Sequence, residues 1–423
     1  MNRGAMLAGV AALGLMIGGA VLLATAPVAK AQASQKALPA LDTKDAAAAR
    51  PWKRYSGWKT RDESKFNTLA HLASPPAPKE PRKLPAGITG NAANGAKLVA
   101  NRKRGGSCLA CHIMGPAGGA NLPGNVGPDL SEIGNFGLSD EQLFNYVYDP
   151  RVYNADTVMP PWGSHGLFND QEIMDIVAFL KTLKSPVVFK TPSDDPNNRK
   201  VGGKEDNLDP MENPGMWVIE KAEALWKQRG ATGFSCNTCH NNPAASFKTW
   251  ATSMRKWEPR LNKVLGVEEF VTRHAKATTG ISWLMETEPN RQMSVYLHYL
   301  ANGTPIHVDT SSPEAKAAIE RGKALANRKL GQLNFACTDC HGKVANHWIR
   351  GQWLGELRGQ YDHFPTWRTS KQKIWDIRQR FQWCQVNIRA DDLPPDAKEY
   401  GDLEIYLASQ NEGLKASVPG LRP

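Results

Sequence analysis

A pair of cysteines spaced Cys-x-x-Cys and followed at once by histidine occurs three times in this chain: Cys108-Leu-Ala-Cys111-His112, Cys236-Asn-Thr-Cys239-His240 and Cys337-Thr-Asp-Cys340-His341. No other feature constrains the fold as strongly. The spacing is that of covalent haem c attachment. Two thiols add to the haem vinyl groups, and the histidine after them lies under the iron as its proximal ligand. A zinc ribbon would need a second cysteine pair or a spaced histidine pair at each site, and neither is present. Three covalently bound haem c groups are therefore expected. Cys108, Cys111, Cys236, Cys239, Cys337 and Cys340 would attach them, and His112, His240 and His341 would ligate their irons.

The 423 residues leave room for three haem units of ordinary size. One pattern recurs around each motif: an opening helix, the motif, a long irregular wrap and a closing helix. The opening helices are expected at 91–102, 217–229 and 312–328, and the closing ones at 169–183, 288–301 and 396–409. Strand signals are weak, so the fold class is mostly α, with three cytochrome c-like haem domains in one chain. The expected boundaries are 88–187 for the first domain, 213–308 for the second and 309–423 for the third. A polar linker rich in Asp, Asn, Pro, Lys and Gly covers 188–212. The second and third units join more tightly, which suggests one separate haem domain followed by a fused two-haem module.

Residues 1–31 read as a targeting segment. Arg3 precedes an apolar run from Ala5 to Ala24, and Ala29-Lys30-Ala31 is a small-x-small cleavage site. The alternative is an uncleaved N-terminal anchor, since twenty apolar residues just span a bilayer. Either way the body is expected outside the cytoplasm, in a periplasm. Residues 32–87 read as a peripheral extension with a Pro-rich linker; its Trp52, Tyr55, Trp58 and Phe66 would pack on a domain surface. Cleavage after Ala31 lowers the formal charge from +11 to +9. Six haem propionates would remove roughly six more charges. That balance, with no recognisable nucleic-acid motif, argues against a nucleic-acid partner and suits an anionic substrate or an acidic protein.

A histidine-ligated haem iron has one further axial position, which sets its potential and reactivity. In unit one, Gly127-Pro128 would brace His112, and Met159, followed by two prolines, offers a thioether 47 residues after His112. Met/His ligation raises the potential, as an electron-exit haem requires. In unit two, Val267, Phe270, Val271 and His274 recur at helical spacing, which makes His274 the expected ligand, with Met285, Met293 and His298 as rivals. In unit three, Ile377, Phe381, Cys384 and Ile388 share one helical face. Cys384 is the seventh cysteine, left over when the haem motifs have used six. Free cysteine is commonly a small buried hydrophobe. Here it has Arg380 one turn away, and in an oxidising compartment an unpaired thiol beside a cation reads as an iron ligand and a reacting group.

These residues resemble the SoxAX cytochromes of sulfur oxidation. Units two and three are similar to SoxA in Asp209-Pro-Met-Glu-Asn-Pro-Gly-Met-Trp217, Glu223-Ala-Leu-Trp226, Gly331-Gln-Leu-Asn-Phe-Ala-Cys-Thr-Asp-Cys-His341, Ile349-Arg-Gly351 and Phe364-Pro365. Most specific is Arg380-Phe-Gln-Trp-Cys384, running into Ile388-Arg-Ala390 and Glu399-Tyr-Gly-Asp-Leu-Glu-Ile-Tyr406. Unit one resembles SoxX in its first haem motif, Gly124-Asn-Val-Gly-Pro128 and Met159-Pro160, so the chain looks like an X–A fusion. The resemblance implies an L-cysteine S-thiosulfotransferase. Such an enzyme joins thiosulfate to a cysteine of a SoxYZ-type carrier and passes electrons to a small cytochrome c; a small accessory subunit is a further partner to consider. It implies that Cys384 ligates the active-site haem and carries the substrate, often as a persulfide, with Arg380 assisting and Arg350 as a weaker candidate. One departure stands out: SoxA proteins usually place cysteine where His274 lies here. Two other readings remain open at the level of sequence: a thiosulfate dehydrogenase forming tetrathionate, and a pure electron-transfer cytochrome.

Overall fold

Helices form where apolar residues recur every three or four positions and a polar residue caps the start. The computed structural model describes residues 39–47, 63–103, 106–115, 122–201 and 208–422. The expected targeting segment at 1–31 and Trp52, Tyr55 and Trp58 lie outside these residues. Unit one contains α1 (Ala92–Ala100), α2 (Asp140–Tyr148) and α3 (Asp170–Leu180). Capping boxes at Ser139/Gln142 and Asn169/Glu172 start α2 and α3. Helices α1 and α3 cross at Gly95, where an added Cβ would lie 2.0 Å from the Asp175 carbonyl oxygen. The Asp175 carboxylate ties the crossing, accepting from the Asn91 backbone at 2.7 Å and from Asn94 Nδ2 at 2.6 Å.

Unit two contains α4 (Trp217–Lys227), the single turns α5 (Cys236–Cys239) and α6 (Pro243–Ser246), α7 (Val267–Thr279) and α8 (Glu288–Leu300). Unit three contains α9 (Pro313–Asn327), α10 (Ile377–Asn387) and α11 (Lys398–Gln410). Opening and closing helices pack together in each unit: α1 on α3, α4 on α8, α9 on α11. Unit three repeats the device of unit one, since a Cβ on Gly322 would lie 2.0 Å from the Asp402 carbonyl oxygen. The fold is mostly helical, with small sheets of three-residue strands. These are the hairpin β1 (Lys256–Glu258) and β2 (Lys263–Leu265), the hairpin β3 (His347–Ile349) and β4 (Gln352–Leu354), and a sheet in which β5 (Thr366–Arg368) pairs with β6 (Lys373–Trp375) and β7 (Gly420–Arg422).

A finer repeat links units two and three. β1 starts at 256 and β5 at 366, β2 at 263 and β6 at 373, α7 at 267 and α10 at 377, α8 at 288 and α11 at 398, a constant step of 110 residues. The hairpin registers match, Glu258 opposite Lys263 and Arg368 opposite Lys373. Their turns carry left-handed residues at the same place, Asn262 at φ 52° and Gln372 at φ 51°. The haem motifs themselves are 101 residues apart, so unit three holds nine extra residues between motif and hairpin. The β3–β4 hairpin lies in that interval.

That hairpin explains why unit one is not a separate body. From Ala40 onward the chain forms one compact unit. The Arg350 N–H donates to the Ala110 carbonyl at 2.9 Å, and Asn125 exchanges two hydrogen bonds with the Trp348 backbone at 3.0 and 2.8 Å. Leu333 and Phe335 of unit three pack into the apolar core of unit one. The expectation of a detached first domain fails because the polar linker runs over a seam that these apolar side chains close. Units two and three are joined by buried ion pairs. Arg378 reaches Glu269 at 2.9 Å and Glu404 at 2.8 Å, and Arg255 reaches Glu404 at 3.0 Å. The extension is not peripheral either. Asp42 and Ala46 bond to the backbone of Arg273 and Met285, while Asn67 bonds to Lys329 and Gly331 and the Phe66 ring packs on His165. No helix among the described residues is long and apolar enough to cross a membrane.

Candidate haem centres and the Cys384 cavity

The local backbone aims the motif histidines. His112 Nδ1 donates to the Pro128 carbonyl at 2.8 Å, and His341 Nδ1 donates to the Gly355 carbonyl at 2.7 Å. Each bond leaves Nε2 with a lone pair for a metal. Gly127 is required beside His112, since a Cβ there would lie 2.3 Å from the imidazole Cε1. Burial holds the His112 ring below the usual imidazole range, against the pull of the Pro128 carbonyl. Burial does the same at His341, with Arg380 adding to the effect.

In unit two the His240 and His274 rings face each other with centroids 6.4 Å apart. That spacing leaves room for one metal ion about 2 Å from a nitrogen of each ring. His274 Nδ1 donates to the Ala40 carbonyl at 3.0 Å, so the strap at 39–47 fixes the tautomer that frees Nε2. Phe270, one turn earlier, stacks on the His274 ring at 5.0 Å and 14°. His274 is half-buried rather than buried as its helical position suggested. The rival His298 points elsewhere: its Nδ1 donates to the Ser294 carbonyl at 2.8 Å and its Nε2 faces Arg255 Nη2 at 2.6 Å. Met285 and Met293 are wholly buried.

Units one and three share a cavity of about 1830 Å³. That is nearly twice the upper end of an ordinary small-molecule pocket, about 1000 Å³. Cys108, Cys111, His112 and Met159 line one end, and Cys337, Cys340, His341, Arg380 and Cys384 the other. The Met159 N–H donates to Thr157 Oγ1 at 3.1 Å, which fixes the loop that carries the thioether. Burial pushes the Cys337 and Cys340 thiols up to about 12, and Cys384 lies close enough to add to both rises. Helix α10 delivers Cys384. The Asp376 carboxylate caps its start, accepting from the Gln379 N–H at 2.8 Å, and α11 packs along it.

The family described as SoxA/TsdA, cytochrome c domain, matches residues 221–306 and 321–416. The family described as cytochrome C oxidase, cbb3-type, subunit III, matches residues 90–180. The L-cysteine S-thiosulfotransferase subunit SoxA of Pseudaminobacter salicylatoxidans is 29% identical over 226 residues, covering 53% of this chain and 78% of that protein. The subunit of the same name from Rhodovulum sulfidophilum is 27% identical over 217 residues, covering 51% of this chain and 75% of that protein. These similarities support a SoxAX-type cytochrome. A solved structure of SoxXA from P. pantotrophus is 26% identical, covers 50% of this chain and 80% of that chain, and superposes with a TM-score of 0.47.

Cytochrome c domains imply covalently bound haem c. The freed Nε2 atoms, the facing imidazoles and the large cavity fit that group. Arg350 lines the same cavity as Cys384 but belongs to its unit one side. It sits at the left-handed corner of the β3–β4 hairpin, φ 54°, and donates to Ser107 Oγ at 2.6 Å. Burial brings its guanidinium down to about 10, with Arg102 adding repulsion and Cys111 opposing. Arg368 is the residue that sequence reasoning missed. It ends β5, is buried and lines the cavity near Cys384. Burial brings its guanidinium down to about 10, with Arg380 adding repulsion and Cys384 opposing. Only the 110-residue step of the structural elements reveals it, as the counterpart of Glu258.

Proposed function

We propose that this chain is a periplasmic three-haem L-cysteine S-thiosulfotransferase. Its substrates are thiosulfate and a cysteine of a SoxYZ-type carrier protein, and its electrons leave to a small cytochrome c. The observation that carries the reading is the meeting of Cys384 and Arg380 with His341 in one cavity that also reaches Met159. The activity for which the similar SoxA subunits are named supports it.

Cys108, Cys111 and His112, with Met159, would hold one haem; Cys236, Cys239, His240 and His274 the second; Cys337, Cys340, His341 and Cys384 the third. Bound haem would supply one-electron acceptance at each of these sites. Arg380 draws the thiosulfate dianion toward the thiol of its own helix. The terminal sulfur of thiosulfate forms an S–S bond with Cys384 Sγ. That bond releases two electrons, and the thiol proton goes to solvent. The carrier thiolate then attacks this S–S bond at the sulfur that came from thiosulfate. Carrier and thiosulfonate are joined, and Cys384 leaves as thiolate. Atoms and electrons balance with two equivalents of oxidised cytochrome c.

The test mixes holoprotein, thiosulfate, oxidised cytochrome c and reduced carrier. The expected product is carrier bearing a thiosulfonate adduct by mass spectrometry, with two cytochromes reduced per adduct. Because the matched family also takes in TsdA, tetrathionate is assayed in parallel. Cytochrome reduction without carrier, with tetrathionate as product, would overturn the reading.

A further inference from the structure

The seventh cysteine and Arg380 share their cavity with a second cation that has no counter-ion. Arg368 is 8% exposed, and its Nε has no hydrogen-bond partner. The Trp375 ring lies 5.4 Å from its guanidinium carbon. Among the described residues neither Arg368 nor Arg380 forms an ion pair or a side-chain hydrogen bond. The charged groups that act on Arg368 are Arg380 and Arg422, both of its own sign, and Cys384. A buried cation facing like charges is costly unless an anion completes the site.

The internal repeat shows that the fold does not need this cation. At the matching strand end unit two carries Glu258, and its carboxylate is closed by Arg260 at 2.7 Å. At the matching helix position it carries Phe270 in place of Arg380. The same hairpin and helix therefore stand with no cation at either place. Both cations occur only where the helix also carries cysteine.

We propose that Arg368 and Arg380 form a two-arginine clamp for a tetrahedral, sulfur-centred dianion at Cys384. Two guanidinium forks from a strand end and a helix can each take oxygens of one sulfonate group. That orients the anion with its oxygens toward the arginines and its remaining substituent toward Sγ. The identity of the anion as thiosulfate rests on the proposed function; the clamp itself does not.

The probe is sulfate, an unreactive tetrahedral dianion, titrated calorimetrically into full-length holoprotein. Wild type should bind sulfate at one saturable site, and sulfate should compete with thiosulfate in turnover, raising KM alone. Arg368→Gln should weaken sulfate binding at least tenfold, and Arg368→Lys by less, since it keeps the charge but loses the fork. Glu258→Gln, the matching change in unit two, should leave sulfate binding unaltered. Where Arg368→Gln loses haem or helical signal, Arg368→Lys gives the reading in its place. Equal sulfate affinity in wild type and a folded Arg368 variant would overturn the clamp, as would no saturable binding by wild type. The two proposals separate cleanly. Sulfate binding through Arg368 without thiosulfate turnover removes the enzyme and keeps the clamp. Full turnover at wild-type KM in Arg368→Gln removes the clamp and keeps the enzyme.

Discussion

Units two and three are built on one plan and equipped differently. From the first hairpin to the closing helix every element recurs after 110 residues, in the same register and with the same left-handed turn residue. Three corresponding positions then part company: Glu258 and Arg368, Phe270 and Arg380, His274 and Cys384. In unit two the acid is neutralised by Arg260 and the phenyl ring stacks on the histidine. That surrounding fixes the imidazole and offers a small anion nothing. In unit three the same backbone presents a thiol and two cations that form no ion pair among the described residues. On the proposed function, the comparison teaches that the same scaffold would hold a metal group in both units, while a strand end and one turn of helix decide whether chemistry occurs there.

The strongest way to break this comparison is Cys384→Met. Methionine offers a thioether to a metal but forms no disulfide-type bond. Haem content should persist while coupling of thiosulfate falls by about 10³-fold or more. Wild-type turnover in that variant would erase the distinction between the units.

Met159→Ala tests where electrons leave. The highest potential in a redox titration should drop and delivery to cytochrome c should slow by about tenfold or more, with single-turnover coupling at Cys384 intact. An unchanged highest potential would remove Met159 as a ligand.

His274→Ala sharpens the contrast from the other side. Turnover should change by no more than about threefold. The paramagnetic resonance signals of a bis-histidine low-spin centre should disappear. Persistence of those signals would mean that another side chain completes the centre.

The smallest effect concerns the junction of units two and three. Burial first, and Arg255 second, hold the His298 ring at about 3. The unfolded chain takes up that proton near pH 6.5. Below about 6.5 the unfolded state binds a proton that the fold refuses, so stability falls as pH drops toward 3. His298→Gln should flatten that part of the melting temperature against pH. An identical slope in the variant would show that other groups govern acid unfolding.

Much of this was legible in the residues. The paired opening and closing helices follow from apolar periodicity and from caps such as Asn169 and Ser312, and α10 carries Cys384 one turn after Arg380, as the helical spacing implied. What stayed hidden depended on contacts between distant segments. Leu333 and Phe335 precede the third motif and read as unit three core, yet they pack into unit one. Ala40 carries no side-chain signal at all, yet its backbone carbonyl accepts from His274 Nδ1. The three-residue strands are too short for alternation to register. Arg368 was invisible for that reason, since a lone arginine in a polar run gains meaning only when the hairpin sets it against Glu258.

The seam between units one and three has one more consequence. It is held by backbone and side-chain hydrogen bonds and a small apolar plug, contacts that would let two separate chains exchange. Here a continuous backbone joins the partners, so each meets the other at an effective concentration on the order of millimolar, whatever the protein's abundance. A weak seam thereby becomes a closed one, and substitutions at Trp348 or Phe335 should open it briefly without ever letting the partner diffuse away.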